Sequence, residues 1–194
     1  MTNPPTQNWL ILTQYYPPEI GAPQIRLSSM IQELTKHNIN ASVLTAMPNY
    51  PKGKLFEGYK NKLVKTEKFN GIPVKRTWVY AATGKSAIPR LLNYLSFTLT
   101  ASIAALTGPK PDVIFLESQP LSLGVVALLM KWIRNVPYIY NIPDLQIEVA
   151  TQMNFIGNKT FLQLSSKLET LLMKQSWKVS TVTEAFMKYI SESN

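Results

Sequence analysis

The residues best placed to do chemistry stand in four short runs. Asn141-Ile142-Pro143-Asp144-Leu145-Gln146-Ile147-Glu148 sets two carboxylates and an amide directly after an apolar run. Asp144 has the location wanted of a general base, and Glu148, four positions on, shares its side if a helical turn begins there. The competing role for Asp144 is a helix N-cap. Glu117-Ser118-Gln119-Pro120 offers a second polar end, where Ser118 is equally suited to capping the next helix. Gly21 stands just before a helical pattern whose free N–H groups suit an anion, or it is a plain turn glycine. The Pro- and Gly-rich stretch from Met47 to Tyr59, with Asn49 and Tyr50 in it, is too long for a mere connector and is a candidate binding loop.

What is missing narrows the chemistry. The 194 residues include no Cys and one His, His37, which removes disulfide scaffolds, Cys-ligated zinc, iron–sulfur clusters and thiol nucleophiles and leaves little for a histidine metal site. Asp112 and Asp144 are the only aspartates, so no Asp-x-Asp pair can hold a divalent cation on a nucleotide. Neither a metal nor a cofactor is expected. Tyr15-Tyr16-Pro17-Pro18-Glu19-Ile20-Gly21-Ala22-Pro23-Gln24 has one glycine where a dinucleotide fold needs Gly-x-Gly-x-x-Gly, which argues against NAD and FAD.

The elements that must position these residues alternate along the chain. Strands are expected at Trp9 to Thr13, Ala41 to Thr45, Val113 to Leu116, Tyr138 to Ile142 and Val179 to Val182. Helical spacing runs over Pro23 to Lys36, 88 to 107, Leu121 to Arg134 and Thr160 to Lys174, and Thr183 suits the N-cap of a final helix. Leu121 to Arg134 is apolar on nearly all sides and reads as a buried helix. Asn70-Gly71 between Lys62 to Phe69 and Ile72 to Tyr80 is a two-residue hairpin signal. Trp9, Trp78, Trp132 and Trp177 read as packing residues. This alternation argues an α/β fold, a mostly parallel sheet with helices on both faces, and such sheets hold ligands at the carboxyl ends of their strands.

Leu91 to Pro109 carries no charge, but Leu92, Leu95, Leu99, Ile103 and Leu106 recur at spacings of three and four between polar residues, so it reads as an amphipathic helix and not a membrane span. Between Lys52 and Arg90 ten basic residues stand against two acidic ones, a net +8 of the chain's total +9. Lys52, Lys54, Lys60, Lys62 and Arg90 belong to this segment, which suits an anionic membrane or another polyanion. Edge lysines that discourage strand pairing are the simpler reading. The absence of a secretory signal pattern leads to the expectation of a cytoplasmic protein.

At its loops the chain resembles the amino-terminal domain of glycosyltransferase family 4, the retaining GT-B enzymes, and within it the bacterial members that build colanic acid, capsule and O-antigen. The segments that carry the resemblance are Tyr15 to Pro23, Val43 to Gly53, Arg90 to Phe97, Lys110 to Val113, and Asp144-Leu145 followed by Glu148. It implies a single Rossmann-like acceptor-side domain over residues 1–194, with a second, donor-binding domain following in the longer enzyme. It also implies metal-free transfer from a nucleotide sugar to a glycan or lipid-linked acceptor in surface polysaccharide biosynthesis, at the inner face of the membrane and without nucleic acid. By this resemblance Gly21 and Ala22 face the donor phosphate and sugar, and Asp144 faces the reacting sugar. Asn49, Tyr50, Glu117, Ser118 and Glu148 stand on the acceptor side. A non-enzymatic basic module binding membrane or nucleic acid through residues 52–90 is the rival class.

Overall fold

Every position of the strand Val113–Glu117 is buried, and Ile39–Ala46 closes on four buried residues in succession, as strands covered on both faces must be. The computed structural model describes residues 6–81, 87–143, 159–184 and 187–188. In chain order the elements are β1 (Gln7–Leu12), α1 (Ala22–Lys36), β2 (Ile39–Ala46), β3 (Val64–Phe69), β4 (Ile72–Thr77) and α2 (Ala87–Thr107). There follow β5 (Val113–Glu117), a 3-10 turn (Leu121–Leu123), α3 (Gly124–Arg134), β6 (Tyr138–Ile142), α4 (Lys159–Gln175) and β7 (Lys178–Thr181). Met187 N–H donates to the Thr183 carbonyl, a helical turn begun where the sequence suggests a cap.

The seven strands form one sheet in the order β3-β4-β2-β1-β5-β6-β7. Only β3 among them runs antiparallel, paired to β4 through the hairpin at Asn70 (φ 49°) and Gly71 (φ 83°), the two left-handed positions that a type I′ turn requires. On one face α1 lays Leu27 and Ile31 over Ile11, Val43 and Val74. On the other, α2, α3 and α4 bring Phe97, Val126 and Leu172 over Leu12, Leu44 and Leu116. Each such side chain contributes about 1.5–3 kcal/mol on burial. The approach of α4 to α3 is close: a Cβ on Gly124 would stand 2.3 Å from Leu172 Cδ1.

Two expectations are corrected. Leu121 to Arg134 is not one buried helix, since it opens with a 3-10 turn and exposes Trp132 and Ile133 near its end, its inner face being filled by Val126, Ala127 and Met130. Trp132 and Trp177 are each more than half exposed and Trp78 lies at the surface, so of the four indoles only Trp9 packs against the core as expected. Among the described residues no helix is long and apolar enough to cross a membrane.

Strand order reverses at β1, with β2 on one side and β5 on the other. The crevice of the sheet therefore opens at the carboxyl ends of β1 and β5.

Candidate functional site

The loop after β1 is held by a buried carboxylate. Glu19 is 2% exposed and its Oε1 accepts the backbone N–H groups of Asn49 and Tyr50, both at 2.8 Å, while Oε2 accepts that of Tyr16 at 3.3 Å. One side chain thus ties the loop after β1 to the loop after β2. Burial pushes the Glu19 carboxyl above its ordinary value, against the pull of these N–H groups and of Arg76.

Arg76, fully buried on β4, supports the same loop from below. Its Nε donates to Glu67 Oε1 at 2.5 Å, Nη1 to the Ala46 carbonyl at 3.4 Å and Nη2 to the Pro17 carbonyl. Burial pushes the Glu67 carboxyl up, but hydrogen bonds from Arg76 and Lys65 overcome it and leave the group below its ordinary value. Arg76 therefore belongs to the interior and not to the basic surface in which its sequence neighbours stand.

At the end of β5, Glu117 is 3% exposed. Its Oε2 receives Arg26 Nη2 at 2.8 Å and its Oε1 receives Asn141 Nδ2 at 2.7 Å, so the second turn of α1, the end of β5 and the end of β6 meet at this carboxylate. Ser118 is buried beside it, and its N–H continues the ladder to the Asn141 carbonyl at 2.9 Å. Gly21, extended at φ 178°, is the N-cap of α1 with no side-chain cap, and Ala22 and Pro23 form its first turn. The uncapped N-terminus of α1 is thereby fixed at the crevice through Arg26.

A third group closes the β2 side. Gln14, buried, donates to Asn93 Oδ1 at 2.6 Å, and Asn93 donates to the Tyr80 carbonyl at 2.7 Å, pinning α2 to the loop after β1. The Tyr15 ring lies 5.5 Å from that of Tyr50 and its hydroxyl is hydrogen-bonded to Tyr94. Burial pushes both Tyr15 and Tyr94 hydroxyls upward, so they stay protonated as neutral donors. Arg90 stands near Tyr94.

Of the residues singled out in the sequence, Gly21, Ala22, Asn49, Tyr50, Glu117, Ser118 and Arg90 all lie along this carboxyl edge. The Asn49 amide turns inward to the Met47 carbonyl at 2.9 Å. Lys52, Lys54 and Lys62 are exposed, and Lys60 pairs with Glu57 at 3.1 Å. Asp144 and Glu148 lie outside the described residues. The sequence marks Glu19 and Asn93 only as members of the segments Tyr15 to Pro23 and Arg90 to Phe97, without singling them out, and passes over Arg26 and Gln14. Only Arg26 carries a usable signal, since a helix start opposite a strand end puts a side chain one turn in within reach of that strand.

A mostly parallel α/β sheet with buried carboxylates, an uncapped helix and tyrosines gathered at its switch point defines a Rossmann-like domain. The family model described as a glycosyl transferase 4-like domain matches residues 21–194, and the chain belongs to that family. Among solved structures the chain is similar to the catalytic domain of starch synthase IV from Arabidopsis thaliana, bound to ADP and acarbose, at 12% identity and a TM-score of 0.49. That similarity covers 72% of this chain and 34% of the other, so the chain spans about a third of that structure's length. No curated protein matches it in sequence.

Proposed function

We propose that these residues form the acceptor-side half of a GT-B, retaining glycosyltransferase that moves a hexosyl group from a nucleotide sugar to a lipid-linked glycan. The setting is bacterial surface polysaccharide biosynthesis at the inner face of the membrane. The observation that carries the reading is the junction at the switch point, where Arg26 ties the N-terminus of α1 to Glu117 and Asn141 at the ends of β5 and β6. In this reading the uncapped N–H groups behind Gly21 and Ala22 meet the donor phosphate, and the nucleoside diphosphate leaves against dipoles and cations without a metal. The Tyr15, Tyr50 and Tyr94 cluster borders the acceptor side, and most of the donor contacts come from a second domain.

The test is transfer from labelled UDP- and GDP-sugars to lipid-linked acceptors extracted from bacterial membranes, using the intact protein. Label in the lipid fraction is expected, together with weak binding of the same nucleotide sugars to the isolated 194 residues in calorimetric titration. No transfer to any lipid acceptor, or low-micromolar donor binding by the isolated residues, overturns the assignment.

A further inference from the structure

The helix α2 is packed the opposite way round to a helix that faces water. Toward the core it sets Phe97 and small residues, Ala101, Ala104 and Ala105, with the polar Asn93 and Ser102. Outward it sets Ile88, Leu92, Leu95, Leu99 and Ile103, between 48% and 69% exposed. Spacings of four, three, four and four put these five on one stripe. A solvated face of that length normally carries charge, and a continuous apolar face of this kind marks an interaction surface.

The surface continues beyond the helix. Thr100 Oγ1 donates to the Trp78 carbonyl at 2.7 Å and the Tyr80 N–H donates to Ser96 Oγ at 2.9 Å, so the stretch after β4 runs alongside α2 with Trp78 and Tyr80 partly exposed. Trp78 N–H donates to the Leu63 carbonyl at 2.8 Å, which brings exposed Leu63 and Val64 to the same edge. The register pairs Val64 with Thr77, Thr66 with Lys75 and Lys68 with Pro73, and Thr77 Oγ1 meets Thr100 on α2 at 3.0 Å. Lys68 and Lys75 therefore share the sheet face that α2 covers. No acidic residue occurs between Glu67 and Asp112.

We propose that this face, the outer stripe of α2 with Trp78, Tyr80 and the rim of β3, docks on an anionic lipid bilayer with α2 lying in its surface. The inference rests on the proposed acceptor class, because a lipid-linked acceptor is what brings this domain to a bilayer. The aliphatic stripe enters the acyl boundary, the indole and phenol sit at headgroup depth, and Lys62, Lys68, Lys75 and Arg90 meet anionic headgroups. Charge complementarity selects this occupant over a second copy, since two copies would bring the same acid-free, basic face against itself. Docking also brings the crevice to the membrane, because Arg90 and Asn93 at the start of α2 border it.

The experiment is flotation of the intact protein with vesicles of phosphatidylcholine alone or mixed with phosphatidylglycerol, neither carrying glycolipid. Binding is expected only to the mixed vesicles and falls with added salt. Leu99→Ser with Ile103→Ser, and separately Lys62→Glu with Lys68→Glu, each lower partitioning by about tenfold or more. All four side chains are exposed, so the thermal midpoint stays unchanged. Equal binding to both vesicle types, binding to neither, insensitivity to the stripe substitutions, or a change of oligomeric mass in the stripe variant overturns the proposal. Loss of vesicle binding with transfer to a water-soluble acceptor analogue intact removes the docking surface alone. Vesicle binding without any sugar transfer removes the proposed activity alone.

Discussion

Glu19 accepts hydrogen bonds from three backbone N–H groups, whereas Glu117 accepts from two side chains, Arg26 and Asn141. Both are buried glutamates at the carboxyl edge of the same sheet, one on the β1–β2 half and one on the β5–β6 half. A carboxylate whose partners are main chain sets the path of that main chain. A carboxylate between side chains leaves the backbone where the strands put it and orients groups that a ligand can meet, since the Arg26 side chain is about a third exposed. On the proposed function the first half therefore serves shape and the second contact, and substitutions on the two sides should separate stability from turnover.

The largest effect falls on the contact side. In the intact protein, on the proposed activity, Asp144→Asn keeps the side-chain shape and removes the charge just past β6 in the sequence. An acid–base contribution of this kind is about 10²- to 10⁴-fold in turnover. An N-cap role gives a different outcome, because Asn caps a helix about as well as Asp. Turnover and thermal midpoint measured together separate the two, and near-normal turnover removes Asp144 from the chemistry.

The next is on the shape side. Arg76→Ala leaves Glu67 without its buried partner and strips the Ala46 and Pro17 carbonyls of a donor. Glu67 keeps Lys65 at 2.9 Å and the Tyr59 hydroxyl, so no charge is left buried and unpaired, and the lost hydrogen bonds cost about 2–3 kcal/mol. Urea unfolding should show that loss with an unchanged slope. A change below about 1 kcal/mol, the range of exposed pairs, would mean that Arg76 does not organise this half.

Glu117→Gln reverses the balance. Its amide still offers one oxygen to Asn141 but places an N–H group against Arg26, which can turn to solvent, so the stability loss is about 1 kcal/mol. The acceptor KM should rise severalfold while kcat holds, read from initial rates over an acceptor series. Equal losses in stability and binding would return Glu117 to the class of Glu19.

How far all this is legible in the sequence divides along the same line. The apolar runs of the inner strands leave a continuous signature because β5 and the end of β2 are buried on both faces, whereas the polar edge strand β3 is legible only through the Asn70-Gly71 turn that joins it to β4. The order of strands, and hence the switch point, comes only from the structure, since it depends on which edges pair. Arg76 counts with the surface lysines in a tally of charge, yet Ile72, Val74 and Arg76 alternate on one face of β4, and that period of two places Arg76 over the core. Glu19 has no such signal, because a loop carboxylate that binds distant backbone N–H groups leaves no pattern in spacing. The spacing on α2 identifies an amphipathic helix, but the sequence alone does not tell which face is the inner one: the core takes the alanines and leaves the leucines outside.

A last test probes the shape side by titration. Glu19→Gln retains an oxygen for the Asn49 and Tyr50 N–H groups, both of which reach Oε1, and sets an amide N–H₂ against the Tyr16 N–H. The expected loss is about 1–2 kcal/mol, or a fall in midpoint of about 2–4 °C for each kcal/mol. The pH dependence carries the sharper information. Burial raises the folded-state carboxyl above its ordinary 4.5, so between that value and the raised one the folded state binds more protons than the unfolded. The wild-type stability from this group is therefore full below about 4.5 and is lost as pH rises through the folded value. The substituted amide does not titrate, so the advantage of wild type over Glu19→Gln should be largest at acid pH and shrink upward, measured as the difference in unfolding midpoints across a pH series. A gap that widens with rising pH would show that the three N–H groups outweigh burial, and Glu19 would then be held ionised as an anion anchor in its own right.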